Sequence, residues 1–145
     1  MATRTARTAW NGSIQEGSGQ VELTSSGVGT FDVSFPKRTA DAADGTTSPE
    51  ELIGAAHTAC YAMALSAEIG RAGGTPQSLD VRADVTLGSD PAGGFRISEI
   101  ALTVRAEVEG LDAAAFEQAA QAAKAGCPVS KALAGTTITL DAALD

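Results

Sequence analysis

The sequence predicts an α+β fold. Three observations carry it: short runs of polar/apolar alternation at the N-terminus, a long uncharged helical segment near the middle, and further alternating runs followed by an amphipathic helix. The order is strands, helix, strands, helix, strand, with no repeat, low-complexity tract or linker composition, so residues 1–145 are expected to form a single domain.

Residues 5–11, 19–24 and 29–35 alternate, and turn residues at Gly17-Ser18-Gly19 and Ser25-Ser26-Gly27 separate them, which predicts an N-terminal meander. Residues 38–47 read as a polar loop. A helix then begins at Pro49, with Ser48 as its N-cap and Glu50 and Glu51 at the positive end of its dipole. It should run to about Arg71 and stop at Ala72-Gly73-Gly74. Between Glu51 and Glu68 this helix is apolar almost all round, which predicts burial rather than a place on a surface. Residues 78–87 and 95–108 read as strands joined through Asp90-Pro91-Ala92-Gly93-Gly94. Asp112 caps a second helix to about Ala125, with Phe116, Ala119, Ala120 and Ala123 as its apolar stripe and Glu117, Gln121 and Lys124 on its wet side. Gly126 stops it, residues 128–134 restart a short helix, and residues 136–143 form a last strand.

Composition excludes several classes. The chain is 43% hydrophobic but only 4% aromatic, so the core must rest on Ala, Val, Leu and Ile. A net charge of −8 argues against nucleic acid, whose phosphates require Lys and Arg, and against an anionic membrane surface. The N-terminus carries two Arg and no apolar core of a signal peptide. The longest charge-free stretch, residues 52–67, is interrupted by His57, Thr58, Tyr61 and Ser66 and falls short of the ~20 apolar residues a membrane span takes. The expectation is a cytoplasmic protein without a membrane partner, in which two cysteines are free, catalytic or redox-active rather than a static disulfide.

The chain has one His, one Trp and one Tyr, so sulfur is the reactive atom to weigh if it is an enzyme. Cys60 lies within the uncharged helix. Its periodicity alone reads as core packing, and a desolvated thiol far from positive charge is inert unless a cation reaches it. Cys127 sits at or near the N-cap of the short helix, with Lys131 one turn on; that placement lowers a thiol pKa, or else Gly126-Cys127-Pro128 is only a joint between helices. His57 reads as a satisfied helix histidine. Two Cys and one His are too few for a closed zinc site, and no metal or cofactor is expected. Arg38 by itself is a solvated loop charge, and Glu50 and Glu51 are accounted for by the helix dipole. Gly73-Gly74 and Gly93-Gly94 are turn glycines without phosphate-loop spacing.

Two longer motifs go further. Pro49-Glu-Glu-Leu-Ile-Gly-Ala-Ala-His-Thr-Ala-Cys60 and Lys124-Ala-Gly-Cys127-Pro-Val-Ser130 resemble the OsmC/Ohr family of thiol peroxidases, and a weaker likeness runs over nearly the whole chain. The Gly-Ala-Ala-His and Cys-Pro-Val-Ser wording leans towards the OsmC branch. The resemblance implies an intertwined homodimer, a buried central helix packed against antiparallel sheet, and a site at each subunit interface. It implies reduction of organic hydroperoxides, with Cys60 as the attacking thiolate, Cys127 as the resolving thiol, Glu50 as the family's glutamate and Arg38 as its arginine, with Lys37 competing for that last role. An arginine beside Cys60 would lower its pKa by ~1–3 units and so reverse the ranking drawn from local physics. A dithiol, of lipoyl type as the same resemblance suggests, would reduce the resulting disulfide. The rivals are another thiol reaction at this site, such as thioester chemistry, and a small-molecule or acyl-chain binding dimer that keeps its cysteines for packing.

Overall fold

Two three-stranded sheets and one long helix dominate the computed structural model, which describes residues 1–145. The chain divides into two compact units, Met1–Leu52 and Ile53–Asp145.

In the first unit, β1 (Arg7–Asn11), β2 (Ser18–Glu22) and β3 (Thr30–Val33) form the expected antiparallel meander. Gly19, opposite Trp10, is required there: a Cβ would lie 2.6 Å from the Ala9 carbonyl oxygen. The next segment departs from expectation. The third strand ends early, and Phe35–Arg38 is a short helix, α1, so Arg38 closes a helical turn instead of lying in a loop. Ser34 caps it, its Oγ accepting from the Lys37 N–H at 3.3 Å, and Pro36 supplies helical φ. The apolar alternation of Phe31, Val33 and Phe35 masked this cap-and-proline signal.

Helix α2 (Pro49–Arg71) has the predicted limits. Ser48 Oγ accepts from the Glu51 N–H at 3.1 Å. At the other end Gly73 takes φ +89°, and the N–H groups of Gly73 and Gly74 donate to the carbonyls of Gly70 and Ile69 at 3.1 and 2.9 Å, a Schellman stop. By length and composition this is the one helix able to cross a membrane, with a mean hydropathy of 1.2 over 18 residues. Its burial is one-sided. Gly54, His57, Tyr61, Leu65 and Ile69, spaced by three and four, are buried, while Ala55, Ala59, Met63, Ser66 and Gly70 are exposed, Met63 at 73%. A single chain therefore leaves one face of this helix exposed, although its apolar character predicted full burial.

The second unit carries β4 (Thr75–Ser89) and β5 (Phe95–Glu109), a long antiparallel hairpin, and β6 (Thr137–Leu144), which pairs with β5 in parallel. The parallel pairing needs a crossover, supplied by α3 (Ala113–Gly126) and α4 (Pro128–Ala132). Tyr61, Leu65 and Ile69 of α2, Ile100, Leu102, Val104 and Ala106 of β5, and the predicted stripe of α3 form one core. Its aliphatic make-up follows from the low aromatic content. The Tyr61 hydroxyl donates to the Ala120 carbonyl at 2.9 Å and pins α2 to α3.

Candidate active site

The predicted residues fall into two pairs. In the first unit the Arg38 guanidinium forks onto Glu50. Its Nε donates to both carboxylate oxygens at 3.0 and 3.2 Å and its Nη2 to Oε1 at 2.7 Å. The last residue of α1 and the first turn of α2 bring these side chains together, and Glu50 is only 7% exposed. Such a bidentate pair fixes the plane of the guanidinium. Lys37, the competitor, is drawn instead to Asp44 at 2.7 Å in an exposed pair that lowers the Asp44 pKa. Arg38 also lines an apolar cavity of about 540 Å³ with Trp10, Ile14, Phe35 and Leu52. A more polar cleft of about 440 Å³, between residues such as Gln20, Asp32 and Thr46, holds none of the predicted site residues.

In the second unit the two sulfurs meet. Cys60 Sγ and Cys127 Sγ lie 3.0 Å apart, and both thiols are free. One turn along α2, His57 Nε2 lies 2.7 Å from Ser130 Oγ. His57 and Cys60 are three residues apart on α2, and Cys127 and Ser130 three apart across the start of α4, so the contacts form two parallel rungs between these elements. Cys127, His57 and Ser130 are buried, while Cys60 is partly exposed.

The local electrostatics rank the sulfurs as elementary physics does. Burial pushes the Cys60 thiol up, and the adjacent Cys127 adds to this against a hydrogen bond from the Val129 amide. Burial acts upward on Cys127 as well, but is outweighed by donors: the Cys60 thiol, the amide and hydroxyl of Ser130, and the Val129 amide, so Cys127 lies below the ordinary thiol value. Cys127 is the N-cap of α4, as its sequence position suggested; it closes no regular capping hydrogen bond, sulfur accepting at longer range than oxygen. Burial also holds His57 below the usual imidazole range, and Tyr61 is pushed well up by burial and by the negative charges of Glu117 and Cys127. No group of three or more His, Cys, Asp or Glu is arranged to hold a metal.

Ser130 was not singled out by the sequence reading. The signal was present: it is the third helical residue after the Cys127 cap, the position from which a side chain reaches back to the cap. His57, expected to be fully satisfied, is bonded on one side only, its Nδ1 being buried without a partner.

Comparison with known proteins places these residues in a wider group. Residues 42–141 match the family described as OsmC-like protein. A protein of Escherichia coli (strain K12) named Peroxiredoxin OsmC is 47% identical over 132 residues, covering 91% of this chain and 90% of the relative. Among solved structures, the organic hydroperoxide resistance protein OhrB of Bacillus subtilis superposes with a TM-score of 0.72 at 29% identity, covering 97% of this chain and 98% of that one. An organic hydroperoxide resistance protein from Elizabethkingia anophelis gives 0.75 at 26% identity, covering 99% of each chain.

Proposed function

The chain belongs to the OsmC-like family, and on that premise we propose that it is a cysteine-based peroxidase that reduces organic hydroperoxides. The observation that carries the reading is the 3.0 Å contact between Cys60 and Cys127. On this proposal the Cys60 thiolate attacks the terminal peroxide oxygen. An S–O bond forms, the O–O bond breaks, and the alkoxide leaves to be protonated as the alcohol. Cys127 then displaces hydroxide from the sulfenic acid to give a disulfide, which a dithiol reduces by exchange.

Cys60 is the less acidic thiol within its own unit, so a cation has to act on it. Arg38 is proposed for that role, with Glu50 as its orienting partner. Glu50 and Cys60 lie ten residues apart on α2, ~15 Å along the axis and roughly 80° apart around it, so a carboxylate there does not reach a thiol on its own helix. We therefore assign the Arg38–Glu50 pair to the partner's Cys60 in a homodimer, a two-fold arrangement that would also cover the exposed apolar face of α2. The arginine would lower the thiol pKa and stabilise negative charge on oxygen as the O–O bond breaks. The cavity beside it, lined by Trp10, Ile14 and Phe35, suits an alkyl group. No cofactor is invoked, and the two units act as parts of a single functional domain in a cytoplasmic setting.

Mixed dimers test the assignment. Cys60→Ser and Glu50→Ala homodimers are expected to be inactive or weak with an alkyl hydroperoxide and a dithiol. A hybrid of the two should regain one intact site of its two. A verified hybrid without recovery would overturn the composite site, and a wild-type protein that consumes no hydroperoxide would overturn the peroxidase reading.

A further inference from the structure

His57 is buried, polar and unused by the chemistry just proposed. It meets only Ser130 through Nε2, and its Nδ1 meets nothing. Those two facts choose its protonation. Burial keeps the ring neutral, so one nitrogen carries the proton. If that were Nδ1, the protein would bury an orphaned N–H, and Nε2 would draw the Ser130 proton to itself. If it is Nε2, the orphan is only a lone pair, and Ser130 accepts from His57 while its own proton is free to turn elsewhere. Ser130 is the third residue of α4 after its cap, the position that turns a side chain back toward the cap residue, here Cys127.

We propose that His57 and Ser130 are positioning residues for the resolving cysteine: the Nε2–H of His57 donates to Ser130 Oγ, and the Ser130 hydroxyl in turn donates to Cys127 Sγ, so that Cys127 attacks as a thiolate. The inference rests on the peroxidase reading for its role and on the two-rung geometry for its existence. In the step served, Cys127 S⁻ attacks the sulfenic sulfur of Cys60. The S–S bond forms, the S–O bond breaks, and hydroxide leaves and takes up a proton as water. The sulfur of Cys127 is oxidised and that of Cys60 reduced, with no other electron carrier. The relay stays neutral throughout and supplies donors already aimed at the charge. Other titratable groups around Cys127 are Cys60 and Tyr61 on α2, Tyr61 remaining a protonated donor to Ala120, and Glu117 of α3, whose charge acts on Tyr61; Lys124 and Lys131 lie near the ends of α3 and α4.

The test needs no peroxide. In a Cys60→Ser background the Cys127 thiolate is titrated by its ultraviolet absorbance. Adding Ser130→Ala should raise the apparent pKa by about one unit, roughly a tenfold loss of thiolate near neutral pH. His57→Leu should move it the same way by less, and His57→Gln, whose side-chain amide can replace the Nε2–H, should restore it. With Cys60 present, sulfenic acid trapped after one turnover should persist about tenfold longer in Ser130→Ala at neutral pH and lose that advantage as pH rises. A Cys127 titration that stays put in folded Ser130→Ala, or that moves equally in His57→Leu and His57→Gln, overturns the relay. A wild-type protein inert to hydroperoxides whose Cys127 titration shifts as described overturns the peroxidase reading and leaves the relay standing.

Discussion

Oxidation should stabilise this chain, and the structure sets the scale. Treatment with one equivalent of an alkyl hydroperoxide is expected to join Cys60 to Cys127 within one chain. The sulfurs start 3.0 Å apart, so closing to the ~2.05 Å of a disulfide takes about 1 Å of movement. The bridge closes a loop spanning a sequence separation of 67. Loop-closure entropy for that length disfavours the unfolded chain by about 4 kcal/mol, an upper value if the native state strains to form the bond. At ~2–4 °C per kcal/mol for a chain of this size, the melting temperature should rise by roughly 8–16 °C. Scanning calorimetry of oxidised and dithiol-reduced protein at one concentration reads this directly, with Cys127→Ser given the same treatment as control. In urea the oxidised form should also show a smaller m-value, because its unfolded state is cross-linked and exposes less surface. An oxidised wild type that melts at or below the reduced protein, or that runs mainly as covalent dimers on non-reducing gels, would refute the reasoning.

Other consequences are as direct. Cys60→Ser should abolish hydroperoxide consumption, whereas Cys127→Ser should react once and then over-oxidise, as mass spectrometry after one equivalent would show; the reverse pattern would swap their roles. Glu50→Ala should lower kcat/KM by about 10–100-fold with the fold retained by circular dichroism, because Arg38 loses three charged hydrogen bonds that orient it. Lengthening the alkyl group should raise kcat/KM up to about fourfold per buried CH₂, and hydrogen peroxide should be the poorer substrate; equal rates would remove the cavity beside Arg38 from the reading. His57 is held below the ordinary imidazole value of 6.5, so the unfolded chain takes up the proton first as pH falls. Stability should therefore be full above about pH 6.5 and decline below it, and His57→Gln should flatten the melting temperature against pH in that window.

Much of this was legible because it depends on local signals. The cap at Ser48, the stop at Gly73 and the stripe of α3 are set by residues within one or two turns, and each appears where the sequence puts it. The cap position of Cys127 was legible for the same reason, but the donor that lowers its pKa most is the Cys60 thiol, which is not local. The helical turn holding Arg38 was missed because apolar alternation ran on through Phe35, and period two outvoted a serine cap followed by proline. The Cys60–Cys127 and His57–Ser130 rungs join residues 67 and 73 apart. No periodicity encodes such contacts: the first pairing was named on resemblance, and the second was not foreseen at all.

The unequal burial of the two sulfurs has a consequence for how the cycle would reopen. Cys127 has no solvent-accessible surface, while Cys60 keeps some. Once the two are joined, an incoming thiolate can approach in line only from the Cys60 side. The mixed disulfide would then form on Cys60, and Cys127 would be the departing sulfur. Departure is faster for the more acidic thiol, and the Ser130 and Val129 donors at the start of α4, which act on Cys127 even when the Cys60 thiol no longer can, favour it in that role. The same few atoms that would ready Cys127 to close the bridge thus make it the better sulfur to expel, giving the reducing partner a single point of entry.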